Sequence, residues 1–495
     1  MNNNRGSESS KLLTRIDWQY ISVLLGIGFL TRMIFFSQTY LISIDGAYQY
    51  IPVAKLFAWG ECREALHQPQ LPLYPFLMSV VSKVTGNFEI SGQIISLTAS
   101  ILAVIPLYLL GKSILEETAA FWAGTFYFLN PEMLQRSADV LKEGLLIFLL
   151  FSSVLLFYLF LNQRRTSYLI VSMLLTLLAS LTRVVSLIFI PVFIFWILFL
   201  KKRPFDVGLL KRLGYLIVVL VLCAAVVVPL MINVKGVTGH WDISKRTVTV
   251  RSLIESVLFD KAVEMGEAER GPITLVRKMI KVYHPILFLF LLAGLIRRKA
   301  IPRDLFKETF LLSFIFGYMI IIGLMMWSTQ RYLFFPILLS YLWAGVGAVE
   351  IQEKVVGKIH ISRQKAAIGL FVTIFILFLP VLLHPYRAEK LSRKAIGHWI
   401  KYQEIEKPMI LTDAHLVIVA YYAEGEFVTM DKSNYESNIP EARAKGINYI
   451  VVEEKNIEKN YPHFIELARK DFILQRGPEF SAKKRERYLV FKSRY

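Results

Sequence analysis

What most constrains the fold of this chain is its series of apolar runs, most of them about 17 to 25 residues, the length a helix needs to cross a hydrocarbon core. About eleven such runs are expected as spans, at roughly 17–36, 92–111, 118–131, 140–161, 167–182, 184–200, 214–234, 284–296, 308–327, 332–350 and 366–384; the third, fifth, sixth and eighth are short. Of the 495 residues 55% are hydrophobic and only 19% charged, against about 25% charged in an average soluble domain. The expected fold class is therefore an α-helical polytopic membrane protein.

The formal charge of +19 is carried by short basic clusters between the apolar runs, not along one soluble face, which argues against a nucleic-acid partner. With a cytoplasmic amino-terminal segment (1–16), the loops holding Arg164-Arg165, Lys201 to Arg203 with Lys211-Arg212, Arg297 to Lys299, and Lys354 through Lys365 all fall inside, as positive charge demands. The stretch 236–283 is expected outside yet carries Lys245, Arg246, Arg251, Arg277, Lys278 and Lys281, a composition suited to anionic lipid headgroups or an acidic acceptor. The first run lacks a small-residue cleavage site and is expected to remain as a span. Cys62 and Cys223, in a loop and a span, make neither a disulfide framework nor a thiolate metal site.

Two extracytoplasmic regions follow: a first loop, 37–91, within a membrane domain of residues 17–385, and a tail, 386–495. The tail has strand-like Met409 to Thr412 and Tyr449 to Val452 and helix-like Ile439 to Lys445 and His463 to Lys470, so a small α/β domain is expected. It has no phosphate loop and no nucleophile elbow, which suits a lid or recognition role.

Ionisable residues at span ends are the candidate site. Asp45, in Ile44-Asp45-Gly46-Ala47-Tyr48, follows the first span; a carboxylate at a membrane boundary marks function by default, although simple solvation competes. Next comes His67-Gln68-Pro69-Gln70-Leu71-Pro72-Leu73-Tyr74-Pro75-Phe76-Leu77, a segment suited to the membrane surface, where Tyr48, Trp59 and Tyr74 read as interfacial rings. Asp139 and Glu143 are four apart, placing both on one helix face, with Arg136 or Lys142 available simply to neutralise them. Arg183, in Leu181-Thr182-Arg183-Val184, and Arg331, in Thr329-Gln330-Arg331-Tyr332, stand at outer span ends. An anion-binding role and snorkelling to the interface are the two explanations.

Asp45, the His67 to Leu77 stretch, Glu143, Thr182-Arg183, and Arg331-Tyr332 followed by Pro336 together resemble the multi-span glycosyltransferases of the GT-C fold. The nearest branch is bacterial glycosyltransferase family 39, related to protein O-mannosyltransferases and aminoarabinose transferases. The resemblance extends into the tail, where Tyr421 to Gly425 and Gly446 to Val452 are similar to the family's soluble domain. Gly46 stands where many members carry a second acidic residue.

The resemblance implies an inverting glycosyltransferase of the plasma (inner) membrane. It would move a sugar from a polyprenyl-phosphate donor to an extracytoplasmic acceptor hydroxyl on a protein, lipid glycan or wall polymer, amid membrane lipids. Asp45 would then be the general base, Arg183 and Arg331 would hold the leaving phosphate, and Glu143 would orient the acceptor with help from His67. Asp139, Tyr74 and Tyr332 join them as substrate-binding candidates. No cofactor is assigned; a divalent cation on Glu143 or His67 stays an open alternative, with no tight ligand spacing behind it. A membrane transporter is the rival reading and a non-catalytic scaffold a third, but the chain shows no paired broken-helix repeat.

Overall fold

The structure is a computed structural model that describes residues 14–200, 207–243, 245, 272–296, 304–324, 330–387, 390–403, 406–431, 435, 437–461, 463–475 and 487–494. Lys201 to Arg203, Arg246, Arg251, Arg297 to Lys299 and Thr329 lie outside the described residues. The chain divides into two compact units: Met1–Phe35 with Val53–Leu383, and Phe36–Pro52 with His384–Tyr495.

The first unit is helical. Each of the eleven apolar runs forms helix, but the helices differ in reach. Among the described residues, six are long and apolar enough to cross a bilayer: Arg15–Ser37, Phe88–Ile114, Glu143–Gln163, Leu209–Thr238, Gln330–Ile359 and Arg363–Leu382. A seventh is made if Val276–Tyr283 and Pro285–Ile296, bent by 98°, count as one span. The bend falls at His284, whose φ is 68°, directly before a proline that disfavours helical geometry in the residue ahead of it. Glu117–Leu129 and Thr166–Ser180 have 13 and 15 residues; at about 1.5 Å per residue they fall short of a hydrocarbon core about 30 Å thick.

Helices in lipid gain little from excluding water, so close approach of backbones and dense side-chain packing must hold them. Pro285–Ile296 lies so near Phe334–Ile359 that a Cβ on Gly294 or Gly347 would overlap the facing backbone carbonyl of Trp343 or Phe290. Phe157 and Phe193 stack at 4.1 Å, with Phe314 edge-on to both.

The second unit is a five-stranded sheet. Its strands are β1 (Met409–Thr412), β2 (Glu426–Thr429), β3 (Tyr449–Glu453), β4 (Phe472–Gln475) and β5 (Tyr488–Ser493), in the order β2-β1-β3-β5-β4. β2, β1 and β3 run parallel, whereas β5 is antiparallel to β3 and β4. Tyr449 to Val452 of β3 are all buried, as a strand covered on both faces requires. The strand-like and helix-like tail segments named above coincide with β1, β3, Asn438–Ala444 and Phe464–Asp471.

Candidate functional site

In the membrane unit the site is built from three chain breaks. Helix Pro131–Ser137 ends and helix Glu143–Gln163 begins at Glu143 itself, where the positive end of the helix dipole favours a carboxylate. Asp139 does not share a helix face with Glu143: it lies in the intervening turn, where its Oδ1 accepts from the Val140 amide at 2.7 Å. Its backbone carbonyl accepts from Leu141 at 2.9 Å. A short polar side chain bonded to its own backbone competes with helix, which spacing alone did not disclose.

Helix Thr166–Ser180 stops before Arg183, which is extended (φ −155°, ψ 115°) at the start of the 3-10 turn Val184–Ile188. Its Nη2 donates to Glu143 Oε1 at 3.0 Å and its Nη1 to the Arg331 carbonyl at 2.9 Å. The third break, the 3-10 turn Gln330–Leu333, supplies that carbonyl and sets Tyr332 under Arg183, with the guanidinium 4.4 Å from the ring centroid. Tyr318 is a further hydrogen-bond partner of Arg183.

Glu143 is 1% exposed, and its Oε2 has no hydrogen-bond partner among the described residues. Arg331, Arg136 and Lys142 stand close enough to act on it electrostatically beside Arg183. Arg136 also reaches Glu132 at 3.7 Å, while its buried Nε has no partner among the described residues. One buried carboxylate thus sits amid four cations. Sequence reading offered Arg136 and Lys142 only as neutralising charges and missed Tyr318, a tyrosine within an apolar run with no polar neighbour to flag it.

The remaining candidates are placed elsewhere. Tyr74 is fully buried, its hydroxyl 2.9 Å from the Gly92 carbonyl and 2.7 Å from Ser96 Oγ. It is therefore no interfacial ring, because a side chain sealed between helices reaches neither headgroups nor water. Ser96 Oγ in turn donates to the Leu141 carbonyl at 2.7 Å, tying Tyr74 to the turn before Glu143. His67 ends the short helix Cys62–His67 and is exposed. Among the described residues no three His, Cys, Asp or Glu side chains group as metal ligands.

Beyond Leu181, two residues before Arg183, lies an apolar cavity of about 350 Å³ between the segment Leu66 to Pro72 and the helix Leu209–Thr238. Lys245 stands at it and donates to the carbonyls of Leu66 and Gln68. Burial lowers its ammonium to about 8.

Asp45 belongs to the other unit. It is half-buried, precedes the π-helical turn Gly46–Tyr50, and accepts from Gln49 Nε2 at 2.9 Å.

Residues 67–232, about a third of the chain, match the family model for dolichyl-phosphate-mannose-protein mannosyltransferase. No curated protein matches by sequence. Among solved structures, ArnT from Cupriavidus metallidurans bound to undecaprenyl phosphate aligns with a TM-score of 0.61 and 13% identity, over 97% of this chain and 98% of that one. The apo oligosaccharyltransferase of Archaeoglobus fulgidus aligns with a TM-score of 0.61 and 14% identity, over 91% and 71%. The Archaeoglobus fulgidus oligosaccharyltransferase AglB, in complex with an inhibitory peptide and a dolichol-phosphate, aligns with a TM-score of 0.55 and 13% identity, again over 91% and 71%. The chain has the fold of the GT-C membrane glycosyltransferases and, across residues 67–232, the sequence pattern of the dolichyl-phosphate-mannose-protein mannosyltransferase family.

Proposed function

We propose that this chain is an inverting glycosyltransferase that moves a sugar from a polyprenyl-phosphate donor to an acceptor hydroxyl outside the cytoplasm. The observation that carries the reading is the grouping of cations at Glu143: Arg183 is bonded to it, and Arg331, Arg136 and Lys142 act on it electrostatically, Arg136 also lying 3.7 Å from Glu132. Guanidinium and ammonium groups gathered in a low dielectric suit an anion. A lipid phosphate leaving group needs that positive charge and no proton donor. In this reading Arg183 holds the phosphate, with Arg331 and the unpartnered Nε of Arg136. Glu143 keeps Arg183 in place through Oε1 and offers Oε2 to an acceptor or sugar hydroxyl. The apolar cavity beyond Leu181 suits the first units of an isoprenoid tail. Two relatives in fold, at low identity, are described with undecaprenyl phosphate and with dolichol-phosphate bound.

Asp45 takes the proton from the acceptor hydroxyl as that hydroxyl displaces the lipid phosphate with inversion at the anomeric carbon. His67 remains a candidate for the acceptor path. The amino terminus is cytoplasmic and the carboxy-terminal domain outside, as the basic loops require; a reporter fused after Tyr495 should read outside.

The test is a comparison of cell-envelope glycans, by mass spectrometry, with the wild-type chain and without it. Loss of one sugar increment, together with binding of undecaprenyl phosphate to the purified protein, is expected. An unchanged glycan profile, or no binding of the lipid phosphate, would refute the reading.

A further inference from the structure

The segment Phe36–Pro52 that carries Asp45 folds with the carboxy-terminal unit and not with the span that precedes it. Its path is fixed contact by contact. The Tyr386 amide donates to the Gln38 carbonyl at 2.9 Å, and Thr39 makes a β-bridge with Tyr386. Lys394 Nζ reaches the Tyr40 carbonyl at 3.4 Å, and Arg387 Nη1 the Leu41 carbonyl at 3.3 Å.

Two further holds follow, and they bracket Asp45. The Ile42 amide donates to the Tyr422 hydroxyl at 3.2 Å. The Tyr48 hydroxyl donates to the Val417 carbonyl, and its ring packs edge-on against Phe427 of β2 at 4.3 Å. Burial raises the Tyr48 phenol further above its ordinary value, so it stays a donor throughout the physiological range. Ile42 and Tyr48 each lie three residues from Asp45. Both are held at the short helix Ile418–Tyr422, one at its last residue and one at the carbonyl just before it. Between the holds, Ser43 closes the turn by accepting from Gly46 and Ala47 at 3.1 and 3.0 Å, while Leu41, Ile42, Ala47 and Tyr50 are each no more than 3% exposed. A segment of this size with only its own turn hydrogen bonds would sample many conformations, at a cost of about 1 to 2 kcal/mol per residue to order.

We infer that Tyr48 and Tyr422 are positioning residues that fix the Asp45 carboxylate, which makes the carboxy-terminal unit part of the machinery that sets turnover and not only a cover. The inference rests on Asp45 being the general base. It assigns the soluble unit a measurable effect on the rate of transfer, distinct from any grip on the donor. A base misplaced by about 1 Å loses rate steeply while a phosphate bound elsewhere does not feel the change.

The experiment compares Tyr48→Phe, Tyr422→Phe and the double variant, which keep both rings and remove only the hydroxyls. Three quantities are read on the full chain: envelope glycan product at matched protein level, affinity of the purified protein in nanodiscs for undecaprenyl phosphate, and hydrogen exchange of the Ile42 amide. Expected are a fall in product of about threefold to tenfold for each single variant, the worth of one hydrogen bond, and a larger fall in the double variant. Lipid-phosphate affinity should stay unchanged and Ile42 exchange should quicken in Tyr422→Phe. Faster exchange with unaltered product in the double variant overturns the inference; so does lost product with unaltered exchange. Asp45→Asn is measured alongside: if that variant retains product, it is the general-base reading that fails, and exchange still reports whether the segment is held.

Discussion

Glu143 and Asp45 are both carboxylates at the edge of an apolar segment, and they are held in opposite ways. Glu143 is buried at the start of a helix and bonded to Arg183, with four cations acting on it. Asp45 is half-buried in a short turn, and its side chain accepts from a neutral amide, Gln49. Taking away one partner of a buried carboxylate–guanidinium pair leaves the other charge uncompensated. In the proposed reading Glu143 has the electrostatic task and Asp45 the proton task, and that contrast can be broken experimentally.

The largest effect is expected at Asp45. Asp45→Asn keeps the shape and the bond to Gln49 but removes proton acceptance, so transfer should fall by about 10² to 10⁴-fold. Thermal stability and undecaprenyl phosphate binding should be unchanged, since the variant keeps the shape of the side chain and the bond to Gln49. Near-normal transfer in the variant would reverse the assignment and move the base to Glu143.

Glu143→Gln should show the reverse profile, with stability affected first. Removing one partner of a buried ion pair costs about 3 to 5 kcal/mol, and both side chains here are no more than 7% exposed. The melting temperature in detergent should drop clearly, and a variant as stable as wild type would show that Arg183 has other sufficient partners. Arg183→Lys, a smaller change, should reduce lipid-phosphate affinity by about tenfold. An ammonium lacks the planar fork whose two nitrogens reach Glu143 and the Arg331 carbonyl separately, and it cannot lie flat on Tyr332. Full affinity in this variant would remove the planar fork from the phosphate site.

Much of this was legible in the sequence, and the limits have physical causes. Apolar periodicity located every long helix, because span length is fixed by the bilayer and needs no partner to be read. Arg183, Arg331 and Glu143 stood out for the same reason: an ion in an apolar run is expensive and therefore noticeable. What charge at a span end does not disclose is the partner. Arg183 bonds Arg331 through a backbone carbonyl, which no side-chain motif encodes. Tyr74 read as an interfacial ring because its neighbours are prolines and aromatics, yet its hydroxyl is committed to Gly92 and Ser96 on a neighbouring helix. Tyr48 and Tyr422 are 374 residues apart in the chain, beyond anything periodicity can link, and their shared task emerges only once the segment Phe36–Pro52 is seen to fold with the tail.

The smallest expected effects come from two glycines, Gly144 next to Glu143 and Gly397 against the helix Ile418–Tyr422, and they sharpen the comparison because neither touches a reacting group. A Cβ on Gly144 would lie 2.5 Å from the Ser96 carbonyl, and one on Gly397 would lie 2.6 Å from both the Val419 carbonyl and Tyr422 Cβ. Real Cβ atoms do not approach backbone so closely, so in Ala variants the neighbouring helix must shift, at about 1 to 3 kcal/mol. Gly144→Ala displaces the residue next to Glu143 and should weaken undecaprenyl phosphate binding along with stability. Gly397→Ala pushes on the helix Ile418–Tyr422 that holds Ile42 and Tyr48, and should lower product a few-fold while leaving lipid-phosphate affinity intact. If both variants changed affinity and product in the same proportion, the proposed division of labour between a phosphate-holding membrane unit and a base-holding carboxy-terminal unit would be wrong. If only Gly397→Ala altered product at constant affinity, the proton task would be tied to the soluble unit by a residue that contacts neither Asp45 nor the donor.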